Sequence, residues 1–246
     1  MPKLILLETS TSLLSVALAC DGRIADFREC TTPRSHAAMT VPLVNDLLKD
    51  NGLKVGDCDA VCISSGPGSY TGLRVGSSTA KGLCFGAGLP LIAVCTLDVL
   101  ARQAVAAGLP DGCRTIIPMV DARRMEVYSA VYDSECRRLT PVEATVVDGS
   151  TYRSELSKGP AVVIGDGAEK CRGVLEGDVR FIQTCPRADA MLQDAVKAFD
   201  GGREIASGEL ARTGGTVNRA IYSATSEKRL VGSVDDSVTR EFGNIL

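Results

Sequence analysis

The stretch Leu4-Ile5-Leu6-Leu7-Glu8-Thr9-Ser10-Thr11 is an apolar run of strand length that ends on an acid and breaks into a polar turn. A run that is apolar at every position has no solvent face, so it belongs in the middle of a sheet covered on both sides. Residues 14–19 and 23–28 follow as two further strand-like runs flanking Cys20-Asp21-Gly22, and Asp-Gly between such runs signals a hairpin. Beyond them come a helix within residues 35–50, a buried strand at 60–65, a glycine-rich turn, and a helix to about Phe85. A strand near 91–94 and a helix over 96–107 complete this half. The order βββαβαβα predicts a mixed sheet with helical crossovers.

The opening theme recurs after Gly108-Leu109-Pro110-Asp111-Gly112, which reads as a linker. Residues 115–120 are apolar, end on Asp121, turn at Ala122-Arg123-Arg124 and continue as a strand over 126–132. Asp121 thus repeats the place of Glu8, and the chain reads as a degenerate duplication of a strand–acid–turn–strand unit. Two domains are expected, 1–110 and 111–246. The second holds strands at 142–147 and 161–164, a helix over 189–199, and a polar, Gly/Ser/Thr-rich tail from about 201.

Composition narrows the function. The chain has 246 residues, 45% of them hydrophobic and 23% charged, so it is globular rather than disordered. With 4% aromatic residues and no Trp it lacks the stacking platforms of single-strand nucleic-acid binders. A net charge of −3 gives no overall basic field with which to grip RNA alone. The ten cysteines are scattered and none forms a C-x-x-C pair, which excludes zinc-ribbon and thioredoxin readings. His36 is the single histidine, so every two-histidine metal site is excluded by counting. The short apolar run at the start and the lack of any 18-residue apolar stretch predict a cytoplasmic chain with no membrane contact.

Three motifs remain open between function and packing. Glu8-Thr9-Ser10-Thr11 fits a degenerate phosphate turn or an ordinary polar turn; Ser10 and, in the repeat, Arg123 stand where close backbone approach needs glycine. Gly66-Pro67-Gly68-Ser69-Tyr70-Thr71-Gly72 could cradle an anion or make a tight strand–helix turn capped by Ser69. The helix after it carries Gly72, Gly76 and Ala80 at i, i+4 and i+8, a smooth stripe that suits close approach by a helix of a partner or of the same chain. On the earlier helix, Ala37, Val41, Val44 and Leu48 form one apolar face and His36, Met39, Leu43 and Leu47 a second. Together they are wider than a sheet-facing helix needs. Pro42 either kinks this helix or marks its first turn. The surplus surface predicts a helix-mediated interface through His36, Met39, Leu43, Leu47, Gly72, Arg74, Gly76 and Ala80.

Taken together, Leu6-Leu7-Glu8-Thr9-Ser10-Thr11, Arg34-Ser35-His36, the run Ser65-Gly66-Pro67-Gly68-Ser69-Tyr70-Thr71-Gly72-Leu73-Arg74-Val75-Gly76 and Asp121-Ala122-Arg123-Arg124-Met125-Glu126-Val127-Tyr128 resemble the TsaB (YeaZ) family over roughly residues 3–170. The resemblance implies an α/β, actin/Hsp70/sugar-kinase-like (ASKHA, ribonuclease H-like) fold of two domains with duplicated βββαβα units. It further implies a non-catalytic, cofactor-free subunit that binds and stabilises its TsaD paralogue. That complex adds threonylcarbamoyl to N6 of the adenosine beside the anticodon of ANN-decoding tRNAs. A TsaE-like ATPase would join it, tRNA would be met only through the complex, and the chain alone would homodimerise. Two alternatives are a kinase-like ATP binder using Glu8, Thr9, Ser10, Thr11 and Gly165-Asp166-Gly167-Ala168, and a metallopeptidase of the "glycoprotease" type.

Overall fold

The computed structural model describes residues 1–203, and the expected tail from about 201 falls almost wholly outside them. Two five-stranded sheets are built on one plan. In the first, β1 (Leu4–Glu8) is central; β2 (Leu14–Cys20) and β3 (Arg23–Cys30) run antiparallel on one side, β4 (Ala60–Ser65) and β5 (Leu91–Cys95) parallel on the other. In the second, β6 (Thr115–Asp121) is central, with β7 (Glu126–Ser129) and β8 (Glu143–Val146) antiparallel on one side. On its other side β9 (Ala161–Gly165) and β10 (Val179–Gln183) run parallel. Glu8 and Asp121 are therefore topologically equivalent last residues of the two central strands, as the repeat predicts.

The helices explain why the central strands are apolar throughout. α1 (His36–Asp50) and α2 (Tyr70–Ala87) cover one face of the first sheet, burying Val44, Leu47, Leu73, Ala80 and Cys84 against Ile5, Leu7, Val16 and Val61. Pro42 sits inside α1 rather than at its start. α3 (Thr96–Ala106) follows β5 in sequence, yet its Leu97, Leu100, Ala101 and Ala104 pack with Ile116, Val120 and Val162 of the second sheet. Two one-turn helices, α4 (Arg153–Leu156) and α5 (Ala168–Cys171), cover the other face of that sheet. The 3-10 turn Ala188–Met191 and α6 (Leu192–Asp200) then return to the first sheet, placing Ala188, Met191, Ala195 and Ala198 against Leu4, Leu6, Ala17 and Ala60. Each sheet thus borrows helical cover from the other half of the chain. β10 has no counterpart in the sequence expectation: Val179-Arg180-Phe181-Ile182-Gln183 is a short edge strand without a fully apolar run.

Polar ties cross the same seam. Arg102 of α3 donates from Nε and Nη2 to the two carboxylate oxygens of Asp194, at 3.1 and 2.9 Å. Asp98 accepts from the Tyr132 hydroxyl at 2.6 Å and from Arg138 Nη2 at 2.7 Å, with Tyr132 fully buried. Asp98→Ala would leave that hydroxyl without its acceptor, and urea unfolding is expected to show a loss of about 1–3 kcal/mol. Arg172→Ala, which removes an exposed pair with Glu169, should cost less than about 1 kcal/mol; equal losses would show that the Asp98 cluster does not tie the halves.

Candidate functional site

The β1 turn is a closed structure. Glu8 is fully buried, and its Oε1 accepts the Ser10 backbone N–H at 2.6 Å and the Ser64 hydroxyl at 2.8 Å. Thr9, Ser10 and Thr11 are buried with it. Glu8 Oε2, Ser10 Oγ and Thr11 Oγ1 have no partner among the described residues. Burial pushes the Glu8 carboxyl above its ordinary value of 4.5, against the opposing pull of the Ser10 and Ser64 hydrogen bonds.

What closes the turn is the glycine motif. Ser69 N–H donates to Ser10 O at 2.6 Å, and a Cβ on Gly68 would lie 2.5 Å from that same oxygen. A Cβ on Gly72 would collide with the carbonyl oxygen of Thr9, and one on Gly76 with the Thr9 hydroxyl. The stripe of glycines therefore lets α2 settle on the Glu8–Thr11 turn of its own chain. Ser69 caps α2 by accepting Gly72 N–H at 3.3 Å. The Gly66–Gly72 segment thus forms the strand–helix turn capped by Ser69, with α2 packed over Glu8, Thr9, Ser10 and Thr11.

The expected interface set divides on the same ground. Gly72, Gly76, Ala80 and Leu47 point into the molecule and are buried there. Leu43 is half-buried against the core, while His36 and Met39 are half-buried and Arg74 is exposed. The buried positions of α1 are Thr40, Val44, Leu47 and Leu48, so the two apolar faces expected from sequence each mix core and surface residues. The exposed large apolar residues of these two helices are Val41, Tyr70 and Phe85, at 44, 56 and 73%. Between the helices runs an open groove of about 370 Å³ lined by Ala37, Tyr70, Thr71, Arg74, Val75 and Thr79. Arg74 donates to the Tyr70 hydroxyl at 3.1 Å and lies over its ring, 5.3 Å from the centroid. Gly82 and Gly86 face open space: a Cβ on either would meet nothing within 4 Å.

The second sheet repeats the arrangement. Gly165-Asp166-Gly167 takes the place of Gly66-Pro67-Gly68: a Cβ on Gly165 would collide with Met119 O, and Gly167 N–H donates to that oxygen at 3.1 Å. Asp166 Oδ1 accepts Asp121 N–H at 2.9 Å. Lys170 pairs directly with Asp121 and also donates to Glu126 O at 2.6 Å. Gly165-Asp166-Gly167 thus packs on Met119, and the repeated acid is paired from within by Lys170. No group of three His, Cys, Asp or Glu side chains that could hold a metal occurs among the described residues. Burial raises the thiols of Cys58 and Cys84 to about 11, which marks them as core residues rather than nucleophiles.

Known proteins share this architecture. The family model described as "TsaD: tRNA N6-adenosine threonylcarbamoyltransferase" matches residues 30–185. The Escherichia coli tRNA threonylcarbamoyladenosine biosynthesis protein TsaB is 32% identical over 215 residues, covering 83% of this chain and 90% of that protein. The chain belongs to the TsaB family. The Bacillus subtilis TsaB is 32% identical over 126 residues, about half of each chain. Among solved structures, YeaZ from Pseudomonas aeruginosa superposes with a TM-score of 0.74 at 27% identity, over 85% of this chain and 97% of that one. With the TsaD-type match, this establishes the actin-like (ASKHA) α/β fold that the repeat and the motifs predict.

Two expectations test the site. Gly72→Ala and Gly76→Ala should each cost several kcal/mol or prevent folding, since the added methyl meets Thr9. Gly82→Ala should stabilise by about 0.5–1 kcal/mol, the ordinary helix-propensity gain; thermal melts that failed to separate the two classes would refute the inward assignment. Because burial raises the folded-state value of Glu8, its stabilising contribution is full below the ordinary 4.5 and is lost as pH rises through the folded value. Glu8→Gln should therefore gain on the parent in urea unfolding as pH is raised from 4.5, and the same offset at every pH would contradict a raised Glu8.

Proposed function

We propose that this chain acts in tRNA threonylcarbamoyladenosine biosynthesis as a partner subunit without a catalytic centre of its own, binding a TsaD-like paralogue through the outward faces of α1 and α2. The observation that carries this reading is the surface of α2 around Phe85. A Phe 73% exposed stands between Gly82 in the helix interior and Gly86 in its last turn, two glycines that no packing within the described residues explains. The interior Gly82 costs about 0.5–1 kcal/mol relative to alanine, a cost offset when another helix approaches closely. Val41 and the groove beside Arg74 extend the same face. The TsaD-type match over residues 30–185 supports a paralogue built on the same unit as the occupant.

The non-catalytic part rests on what the turns do. The first acid is sealed under α2, the second is neutralised by Lys170, and the single histidine cannot supply an H-x-x-x-H site. We place the division between the two units at about residue 110, with the 188–200 segment returning to cover the first. Self-pairing through the same helices is the reading for the chain without its paralogue, and a TsaE-like ATPase is the third component. No helix among the described residues is long and apolar enough to cross a membrane.

The test is calorimetric titration of the parent and variants with the TsaD-like protein of the same cell. Phe85→Asp and Gly82→Leu lie outside the core, so both should fold, which circular dichroism checks. Each is expected to weaken binding by about 10-fold or more, as loss of an interface anchor does. Leu139→Asp, another exposed apolar residue far from these helices (60% exposed), should leave binding unchanged. Parent-like binding by Phe85→Asp and Gly82→Leu together would overturn the assignment.

A further inference from the structure

The two acid turns differ in one respect that packing leaves unexplained. The first is sealed under α2, whereas the second, between β6 and β7, projects from its sheet with Arg123 and Arg124 both exposed. Both residues lie in the left-handed region, with φ of 71° and 48°. Glycine, asparagine and aspartate take that conformation readily; a longer side chain is strained there. The hairpin is closed by Ala122 N–H to Glu126 O and Glu126 N–H to Arg123 O, both at 3.1 Å, so the strain is built into its geometry.

Charge makes the tip more unusual. Neither guanidinium has an ion-pair partner among the described residues. Asp121, at the start of the turn, is already held by Lys170 and by the Arg123 backbone N–H. Glu126 is the remaining carboxylate of the hairpin and sits at its base, half-buried. The turn fixes the backbone of the tip, which therefore presents two adjacent, exposed guanidinium groups without an ion-pair partner among the described residues. That arrangement suits phosphate oxygens, which a planar guanidinium engages in pairs.

We infer that the Arg123–Arg124 hairpin contacts the phosphate backbone of the tRNA substrate directly. The inference rests on the tRNA-pathway reading above, and it departs from the expectation that tRNA is met only through other subunits. A net charge of −3 rules out a grip by the whole surface, so a contact of this kind has to be local and weak. It steers and positions the tRNA rather than selecting its sequence, because phosphates carry no sequence information.

The experiment measures binding of a fluorescent ANN-decoding tRNA transcript to the full isolated chain by anisotropy, across a salt series starting at low ionic strength. The parent is expected to bind weakly, with affinity falling as salt rises. Arg123→Asn/Arg124→Gly supplies residues that suit the left-handed turn, so it should fold and melt at or above the parent temperature. It should lose about 10-fold in affinity at low salt and lower the salt slope by about 1.5, as expected for two lost phosphate contacts. Arg23→Ala/Arg114→Ala removes the same charge from exposed positions elsewhere and should stay within about twofold of the parent. Absence of tRNA binding by the parent at the lowest salt would overturn the inference, as would equal losses in the two double variants. Arginine-dependent binding of polyglutamate without binding of tRNA would overturn it too, by pointing to an acidic protein partner. None of these outcomes depends on the α1/α2 face, so failure here is distinguishable from failure of paralogue binding.

Discussion

The contact between α2 and the turn after β1 organises the rest of the molecule. Ser69 N–H meets Ser10 O, and Gly68, Gly72 and Gly76 remove the side chains that would hold the helix away. Once α2 is seated, Glu8 is sealed from water, Leu73, Ala80 and Cys84 drop into the core, and one face of the helix is fixed outward. A buried carboxylate with an unpartnered oxygen is costly to maintain, yet in the fold it provides the anchor for Ser10 and Ser64. An acid at the end of a central strand, beside a polar turn and a glycine-rich loop, is here covered by its own chain.

The second unit reaches a similar end by another route. There the equivalent acid remains exposed, but Lys170 of α5 neutralises it, and Asp166 takes its backbone N–H. The two units are held together by exchanged helices: α3 lies on the second sheet and α6 on the first, with Arg102–Asp194 and Asp98–Arg138 across the seam. Opening and closing of the halves would have to break apolar packing and these pairs together.

Much of this was legible in the sequence. The fully apolar run at 4–7, the Asp-Gly hairpin and the recurrence of strand, acid and turn at 115–121 specify the central strands, their antiparallel neighbours and the duplication. The motifs at 6–11, 65–76 and 121–128 carried the family. The direction of the glycine stripe was not legible. A pattern at i, i+4 and i+8 gives the face but not what lies over it, and the Thr9 turn is distant in sequence from Gly72 and Gly76. A usable signal did exist: the same helix carries Gly82 and Gly86 out of phase with the first stripe, and two glycine faces cannot both serve one partner. α4 and α5 escaped because a single turn of four residues is too short to show a period, and β10 because it lacks the fully apolar run of the other five-residue strands.

Hydrogen exchange, read by mass spectrometry on the chain alone and with the proposed TsaD-like partner, tests the sealing of the β1 turn most directly. Amides of residues 8–11 are expected to be protected already in the free chain and to stay unchanged on binding. New protection should fall on the outward helices, around Val41 of α1 and around Gly82 to Gly86 of α2. Rapid exchange at 8–11 in the free chain, with protection gained there on binding, would contradict a sealed turn and return it to the role of an open site.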